Sequence, residues 1–77
     1  MKIYLYLKNK VLVFSIPKKV MGRFNFDENI AEESKLINIE AKNEHWNLYS
    51  TKETKIVLNG IETEEAILQP DCYYILR

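Results

Sequence analysis

The stretch covering residues 56–76 constrains the fold most, because two turn signals lie between short apolar runs. An apolar run leads into Asn59-Gly60, a dipeptide that favours a type I′ hairpin turn, which needs positive φ at both central residues. Pro70-Asp71 predicts a second tight turn before the closing apolar run, since proline fixes φ and aspartate can bond its own backbone. These signals predict the end of an all-β domain. They contain no reactive constellation, which indicates a binding module rather than an enzyme.

The first part of the chain repeats this pattern of short strands. Residues 2–8 alternate apolar and polar side chains, and residues 11–16 do so again after a turn at Asn9-Lys10, which predicts a hairpin. Residues 20–24 predict a further short strand. Residues 27–34 are the most polar stretch and predict a loop of about eight residues, long enough to be functional in a small domain.

The middle of the chain predicts a second hairpin, formed by residues 36–41 and 45–50 around a turn at residues 42–44. Alternation places Trp46 and Leu48 inward and His45, Asn47 and Tyr49 outward. Together the patterns amount to about seven or eight short strands separated by turns, which is typical of a sandwich or barrel. We therefore expect an all-β fold, a small β-sandwich of short antiparallel strands.

Composition narrows the class of protein. A chain of 77 residues predicts one domain, residues 1–77, and its 11 Lys+Arg balance its 11 Asp+Glu, so no basic excess points to nucleic acid. One cysteine allows no internal disulfide and fits a reducing compartment. No apolar run approaches the roughly 18 residues that a membrane span needs. We expect a cytoplasmic domain that neither binds nucleic acid nor inserts this segment into a membrane.

The residues that carry most enzyme chemistry are scarce. The single histidine, His45, and the single cysteine, Cys72, both lie in strand-patterned sequence. We expect His45 to be an exposed strand residue and Cys72 to be a small core or edge residue. Their spacing matches no zinc site, and the acidic residues of the loop match no calcium loop. The sequence therefore predicts no catalytic activity, no metal and no cofactor.

Two features remain as candidates for binding. Tyr4 and Tyr6 lie on the polar face of the first strand, and exposed aromatic residues are enriched at protein interfaces. The alternative is that another strand or a neighbouring segment covers them. Gly22-Arg23 precedes the polar loop, where the planar guanidinium would suit an anion or phosphate. The alternative is an ordinary surface arginine.

Taken in order, these residues resemble a forkhead-associated (FHA) domain over most of the chain. The family's Gly-Arg corresponds to Gly22-Arg23, its apolar loop residue to Ile30, and the serine of its Ser-x-x-His motif to Ser34. Its central Trp-x-Leu strand and the serine that follows correspond to residues 46–50. Its second Asn-Gly corresponds to Leu58-Asn59-Gly60, and its Leu-x-x-Gly-Asp motif to residues 68–71, with Pro70 in place of glycine. The resemblance implies a domain that binds a protein or peptide partner.

The chain departs from the family where phosphate would be held. Ile37 stands at the family's histidine, and residues 51–53 replace its first Asn-Gly. The resemblance leaves Arg23, Ser34, Ser50 and Thr51 as the phosphopeptide-binding or partner-binding positions. Because phosphate recognition needs several converging charge-assisted donors, we expect a degenerate domain that binds its partner without phosphate.

The pattern of residues 35–50 is similar to the N-terminal FHA domains of the FtsK-type membrane ATPase of Firmicute type VII secretion (the EssC family). This likeness implies a cytoplasmic recruiting or assembly module at the N-terminus of a longer chain, with the ATPase elsewhere in that chain. Two alternatives stay open. One is a working phosphothreonine reader centred on Arg23 and Ser34. The other is a ubiquitin-like or enzyme-subunit domain, which needs a central helix.

Overall fold

A computed structural model describes residues 1–25 and 33–77. The strands of the described residues are β1 (Lys2–Tyr6), β2 (Val11–Ser15), β3 (Ile37–Lys42), β4 (His45–Ser50), β5 (Ile56–Leu58), β6 (Ile61–Thr63), β7 (Glu65–Ile67) and β8 (Tyr73–Leu76). One 3-10 turn, Glu33–Leu36, precedes β3. Over this part of the chain, no helix has the length and apolar character needed to cross a membrane.

The strands form two sheets. The larger sheet has five strands in the order β2-β1-β8-β5-β6, and the smaller has three in the order β3-β4-β7. Every neighbouring pair is antiparallel except β1 and β8, which run parallel with Tyr4 opposite Tyr73. The first and last strands of the chain therefore lie side by side in the middle of the larger sheet. The predicted all-β fold is confirmed, with this one parallel pair in place of a wholly antiparallel arrangement.

Strand alternation directs one face of each sheet into a shared core. In β1 the side chains of Ile3 and Leu5 are fully buried, and Ile37 and Ile39 of β3 are buried to the same degree on the opposing sheet. Burying each such side chain contributes about 1.5–3 kcal/mol. The whole cluster is Ile3, Leu5, Leu12, Phe14, Ile16, Ile37, Ile39, Trp46, Leu48, Ile56, Ala66, Leu68, Tyr74 and Leu76. Because both sheets contribute to one core, the architecture is the predicted β-sandwich.

The two turns that dominate the sequence form as predicted. Asn59 and Gly60 have φ of 51° and 80°, which is the positive pair that a type I′ turn requires between β5 and β6. Asp71 has φ of 59°, and the Cys72 N–H donates to the Gln69 carbonyl oxygen at 3.3 Å, which closes the turn before β8. Proline followed by a residue with positive φ is typical of a type II turn.

The turn between β3 and β4 explains one wrong prediction. Asn47 was expected to point into solvent, but it is only 6% exposed. Its Nδ2 donates to the carbonyl oxygens of Lys42 and His45 at 3.1 and 3.0 Å. The turn residues Asn43 and Glu44 have φ of 53° and 66°, a region that asparagine tolerates but that is costly for glutamate. The buried amide of Asn47 therefore braces a turn that the local sequence does not strongly favour.

The strand predicted at residues 20–24 is wrong in extent. The structure has a single bridge between Arg23 and Glu40, flanked by hydrogen bonds from the Phe24 N–H to the Ile39 carbonyl at 2.9 Å and from the Ala41 N–H to the Gly22 carbonyl at 2.8 Å. The segment covers the outer edge of β3 without becoming a strand. Of the loop predicted at 27–34, residues 27–32 lie outside the described residues.

The phenol of Tyr74 ties the two sheets together. Its hydroxyl donates to the Ile67 carbonyl at 3.1 Å and accepts the Gln69 N–H at 2.9 Å, which connects β8 of the larger sheet to the end of β7 in the smaller. Burial raises the pKa of Tyr74 above its ordinary value, so the hydroxyl keeps its proton at neutral pH. The hydroxyl group can therefore act as donor and acceptor at once.

Candidate partner-binding site

Arg23 is already engaged by a carboxylate. Its Nε and Nη2 lie 2.9 and 2.6 Å from Oε1 of Glu40, on the strand that the segment around Gly22 covers. The two side chains are 66% and 38% exposed, so the pair contributes no more than about 1 kcal/mol to stability. The neighbouring negative charge nevertheless weakens the attraction of this guanidinium for a phosphate.

Ser50 and Thr51 lie together at the end of β4, in a different groove. Other residues that line this groove are Tyr49, Lys52, Lys55, Glu64 and Glu65. The Ser50 hydroxyl donates to the Glu64 carbonyl at 3.4 Å, and Lys55 Nζ lies 3.2 Å from Glu64 Oε1. Two carboxylates therefore face two ammonium groups, and the groove carries no excess of positive charge for an anion.

The described residues do not bring Arg23 together with Ser50 and Thr51. Arg23 lies beside Glu40, and Glu40 is opposite Asn47 of β4. Ser50 is three residues beyond Asn47, which is a distance of about 10 Å along the strand. The groove beside Arg23 is lined by Pro17, Lys19, Met21, Phe24, Asn25 and Trp46, none of which lines the groove at Ser50.

The other positions matched to the FHA family are only partly described. The backbone of Ser34 belongs to the 3-10 turn Glu33–Leu36, and its side chain lies outside the described part of the structure. Ile30 also lies outside the described residues. The positions proposed for phosphate binding therefore remain predictions.

The connector after β4 is held by Thr54, which belongs to none of the motifs described above. The Thr54 hydroxyl donates to the Leu36 carbonyl at 2.8 Å and accepts the Thr51 N–H at 3.3 Å, and Thr54 is 7% exposed. Threonine three residues after a threonine in a polar connector is a weak sign of such a local turn. Thr54 fixes the position of Thr51 relative to the turn before β3.

Replacing Thr54 with valine should lower the free energy of unfolding by about 1–3 kcal/mol, because the Leu36 carbonyl and the Thr51 N–H lose a buried partner while the side-chain shape is kept. Urea denaturation followed by tryptophan fluorescence measures this loss. Thr63→Val is the matched control, since the Thr63 hydroxyl donates to the Glu65 carbonyl at 3.1 Å at an exposed site where water can replace it. Equal losses in the two variants would contradict the role given to Thr54.

The two tyrosines chosen from the sequence belong to a larger apolar surface on the outside of the five-stranded sheet. In the register of the strands, Tyr4 lies between Val13 and Tyr73. In the next row Tyr6 lies between Val11 and Ile75, and Val57 lies on the far side of Ile75. We call this surface the outer apolar face, formed by Tyr4, Tyr6, Val11, Val13, Val57, Tyr73 and Ile75.

Much of the outer apolar face is open to solvent within the described structure. The exposed fractions are 43% for Tyr6, 48% for Val11, 54% for Val13 and 63% for Tyr73. The rings of Tyr6 and Tyr73 meet edge to face with their centroids 5.5 Å apart. A contiguous apolar surface of this kind is typical of a protein-interaction site.

Of the two residues with enzyme-like chemistry, Cys72 adjoins this face, because it lines a shallow groove with Val57, Tyr73 and Ile75. His45 begins β4 opposite Lys42, and the Cys72 thiol lies at the turn before β8, 3.9 Å from Gln69 Oε1. Among residues 1–25 and 33–77, no cluster of three or more His, Cys, Asp or Glu side chains is placed to hold a metal ion. Comparison of the chain with protein-family models, with curated proteins and with solved structures finds no match.

Proposed function

We propose that this chain is a non-catalytic protein-interaction module with an FHA-like scaffold, and that it binds a protein partner without requiring phosphate. The observation that carries this proposal is the outer apolar face, on which Tyr6, Val11, Val13 and Tyr73 are all 43–63% exposed. Leaving such a surface in water is unfavourable by about 25 cal/mol for each Å² of apolar area, and a bound partner would recover that free energy. Tyrosines are also enriched at protein interfaces.

The arrangement of polar groups supports binding without phosphate. Arg23 is paired with Glu40, and the groove at Ser50 and Thr51 has balanced charges. A phosphate dianion binds well where several cationic or N–H donors converge on it. Neither groove offers that convergence among its described residues.

The proposal extends to the setting of the domain. The ordered match from Gly22-Arg23 through Pro70-Asp71 and the two-sheet fold are both compatible with a degenerate FHA domain. By the likeness of residues 35–50, we assign the module to assembly or recruitment in a type VII-like secretion machine, as a cytoplasmic part of a membrane-associated parent protein. The described residues contain no α-helix, which gives the ubiquitin-like alternative no support.

Affinity capture from a lysate of the source cells tests the proposal. The immobilised chain should retain a component of the secretion machine, and treating the lysate with phosphatase should not reduce that capture. The double variant Tyr6→Lys/Tyr73→Lys should lose the captured component, because two ammonium groups would have to be desolvated against it.

Arg23→Ala is the matched control, because Arg23 bridges β3 of the smaller sheet, and it should capture the component as well as the wild type does. Circular dichroism and thermal melting of each variant show that it is folded before capture is scored. Capture that disappears after phosphatase treatment or in Arg23→Ala would favour the phosphothreonine reader. Recovery of no secretion component would contradict the assignment to that machine.

A further inference from the structure

One edge of the five-stranded sheet has backbone groups that no other described segment pairs with. Among the described strands, β2 is terminal in the sheet order and has β1 as its one neighbour. The Ile16 N–H donates to the Met1 carbonyl and the Leu7 N–H to the Lys10 carbonyl, each at 2.8 Å. Because hydrogen-bonded pairs alternate along an antiparallel ladder, the N–H and C=O groups of Val11, Val13 and Ser15 point away from β1.

Among the described residues, this edge lacks the usual protection against pairing with another chain. Natural edge strands are commonly protected from pairing by a proline, by an inward-pointing charge, by a bulge or by a covering segment. Residues 11–15 contain no proline and no charged residue, and the two valines on the outer side are 48% and 54% exposed. An extended strand of five residues is therefore available as a template for strand addition.

The charged residues that flank β2 in the sequence are all cationic, although the chain as a whole has equal numbers of acidic and basic residues. The charged residues among positions 1–25 are all basic, and they are Lys2, Lys8, Lys10, Lys18, Lys19 and Arg23. Lys2 lies opposite Ser15 on the outer side of the sheet, Lys8 precedes the strand, and Lys18 and Lys19 follow it. A strand that pairs with β2 would therefore gain from acidic residues near both of its ends.

The same charges disfavour the pairing of a second copy of this chain with the β2 edge. Antiparallel pairing of two β2 strands about Val13 would place Lys8 of one copy level with Lys18 of the other, at both ends of the pair. Like charges directly opposite each other destabilise a strand pair. The charge pattern thus distinguishes an acidic partner from self-association.

We propose that β2 is a strand-addition site for an extended, acidic segment of the partner protein. This inference rests on the proposed function and names the chemistry of the partner and its manner of binding. The added strand hydrogen-bonds to the outward groups of Val11, Val13 and Ser15. Its apolar side chains, alternating along the strand, continue the rows of Val11 and Val13 and enlarge the outer apolar face. Its acidic residues lie near Lys8 and Lys18.

The test uses the synthetic peptide Glu-Glu-Val-Thr-Val-Thr-Val-Glu-Glu and a matched peptide with lysine in place of each glutamate. Titration into the labelled protein is followed by amide NMR. The acidic peptide should shift the amide signals of Val11, Val13 and Ser15 and slow their hydrogen exchange, and added salt should weaken its binding. The lysine peptide should bind at least about tenfold more weakly, since it repels the same lysines.

Val13→Pro removes one outward donor without removing a bond between β1 and β2, and proline is tolerated on edge strands. This variant should weaken binding of the acidic peptide by about tenfold or more, whereas Val13→Thr, which keeps the N–H and the branched side chain, should bind nearly as the wild type does. The NMR measurement on the wild type needs no variant, so it decides the question even if Val13→Pro fails to fold.

Four results would overturn the inference: no binding of the acidic peptide at millimolar concentration, equal binding of both peptides, undiminished binding to folded Val13→Pro, or a dimer formed through β2 without peptide. The experiments distinguish a failure of strand addition from a failure of the proposed function. A captured partner that binds Val13→Pro normally but not Tyr6→Lys/Tyr73→Lys would remove strand addition and leave the interaction module in place.

Discussion

Replacing Trp46 with alanine is expected to remove most of the protein's free energy of unfolding. Trp46 is 4% exposed at the start of β4, and its Nε1 donates to the Pro17 carbonyl at 2.9 Å, which ties the smaller sheet to the segment after β2. Removing a buried tryptophan costs about 3–5 kcal/mol. Small domains have a total stability near the lower end of about 5–15 kcal/mol, so this loss consumes most of it.

The loss is measured by far-ultraviolet circular dichroism during urea denaturation. Trp46→Phe is the matched control, because it keeps an aromatic ring in the core and removes the indole N–H that bonds to Pro17. That variant should stay folded and lose about 1–3 kcal/mol, chiefly from the unsatisfied carbonyl. A Trp46→Ala protein that stays folded with a loss below about 1 kcal/mol would contradict the inward placement of this side chain.

The second large effect is expected at Leu5, in the centre of the larger sheet. Leu5 is fully buried in β1, with Leu12 on one neighbouring strand and Tyr74 on the other. Leu5→Ala should lower the free energy of unfolding by about 2–5 kcal/mol, through lost apolar transfer and the cavity that remains. Val13→Ala is the control on the opposite face, where 54% exposure limits the expected loss to about 0.5–1 kcal/mol.

This pair of variants tests which face of the five-stranded sheet packs against the core. The register places Leu5 inward and Val13 outward on neighbouring strands. If Val13→Ala destabilised the fold more than Leu5→Ala, the alternation of both strands would be reversed. The surface assigned to a partner would then be part of the core, and the proposed function would lose its basis.

Local patterns in the sequence were sufficient to predict most strands of this fold. The period-2 alternation of residues 2–8 and 11–16 predicts β1 and β2, and their hairpin is present. Its turn lies at Lys8-Asn9, one residue before the predicted Asn9-Lys10, because Lys10 already pairs with Leu7 through a hydrogen bond from the Leu7 N–H to the Lys10 carbonyl at 2.8 Å. Asn59-Gly60 has the positive φ values that the dipeptide favours. These features were predictable because each depends on residues that are close together in the chain.

Contacts between distant segments could not be read in the same way. The outer apolar face depends on β1 lying between β2 and β8, which come from opposite ends of the chain. The alternation of the first strand therefore indicates Tyr4 and Tyr6, but no local pattern indicates Tyr73, their neighbour across the parallel pair. The pairing of Arg23 with Glu40 spans 17 positions and was missed for the same reason.

Asn47 shows a different limit. The alternation of β4 predicts an outward side chain, and the burial of Asn47 reflects hydrogen bonds to the carbonyls of Lys42 and His45 across the turn. A period-2 pattern describes which face a residue occupies, and it contains no information about how much a neighbouring turn covers that face. Polar residues that brace turns are therefore the positions where a prediction based on alternation fails.

We propose above all that the domain binds its partner without recognising phosphate. Titration with a randomised phosphothreonine peptide library and its unphosphorylated counterpart, measured by calorimetry on the wild type and Arg23→Ala, tests this claim most directly. We expect no preference for the phosphorylated library and no effect of Arg23→Ala. Micromolar binding of the phosphorylated library alone, abolished by Arg23→Ala, would contradict the claim.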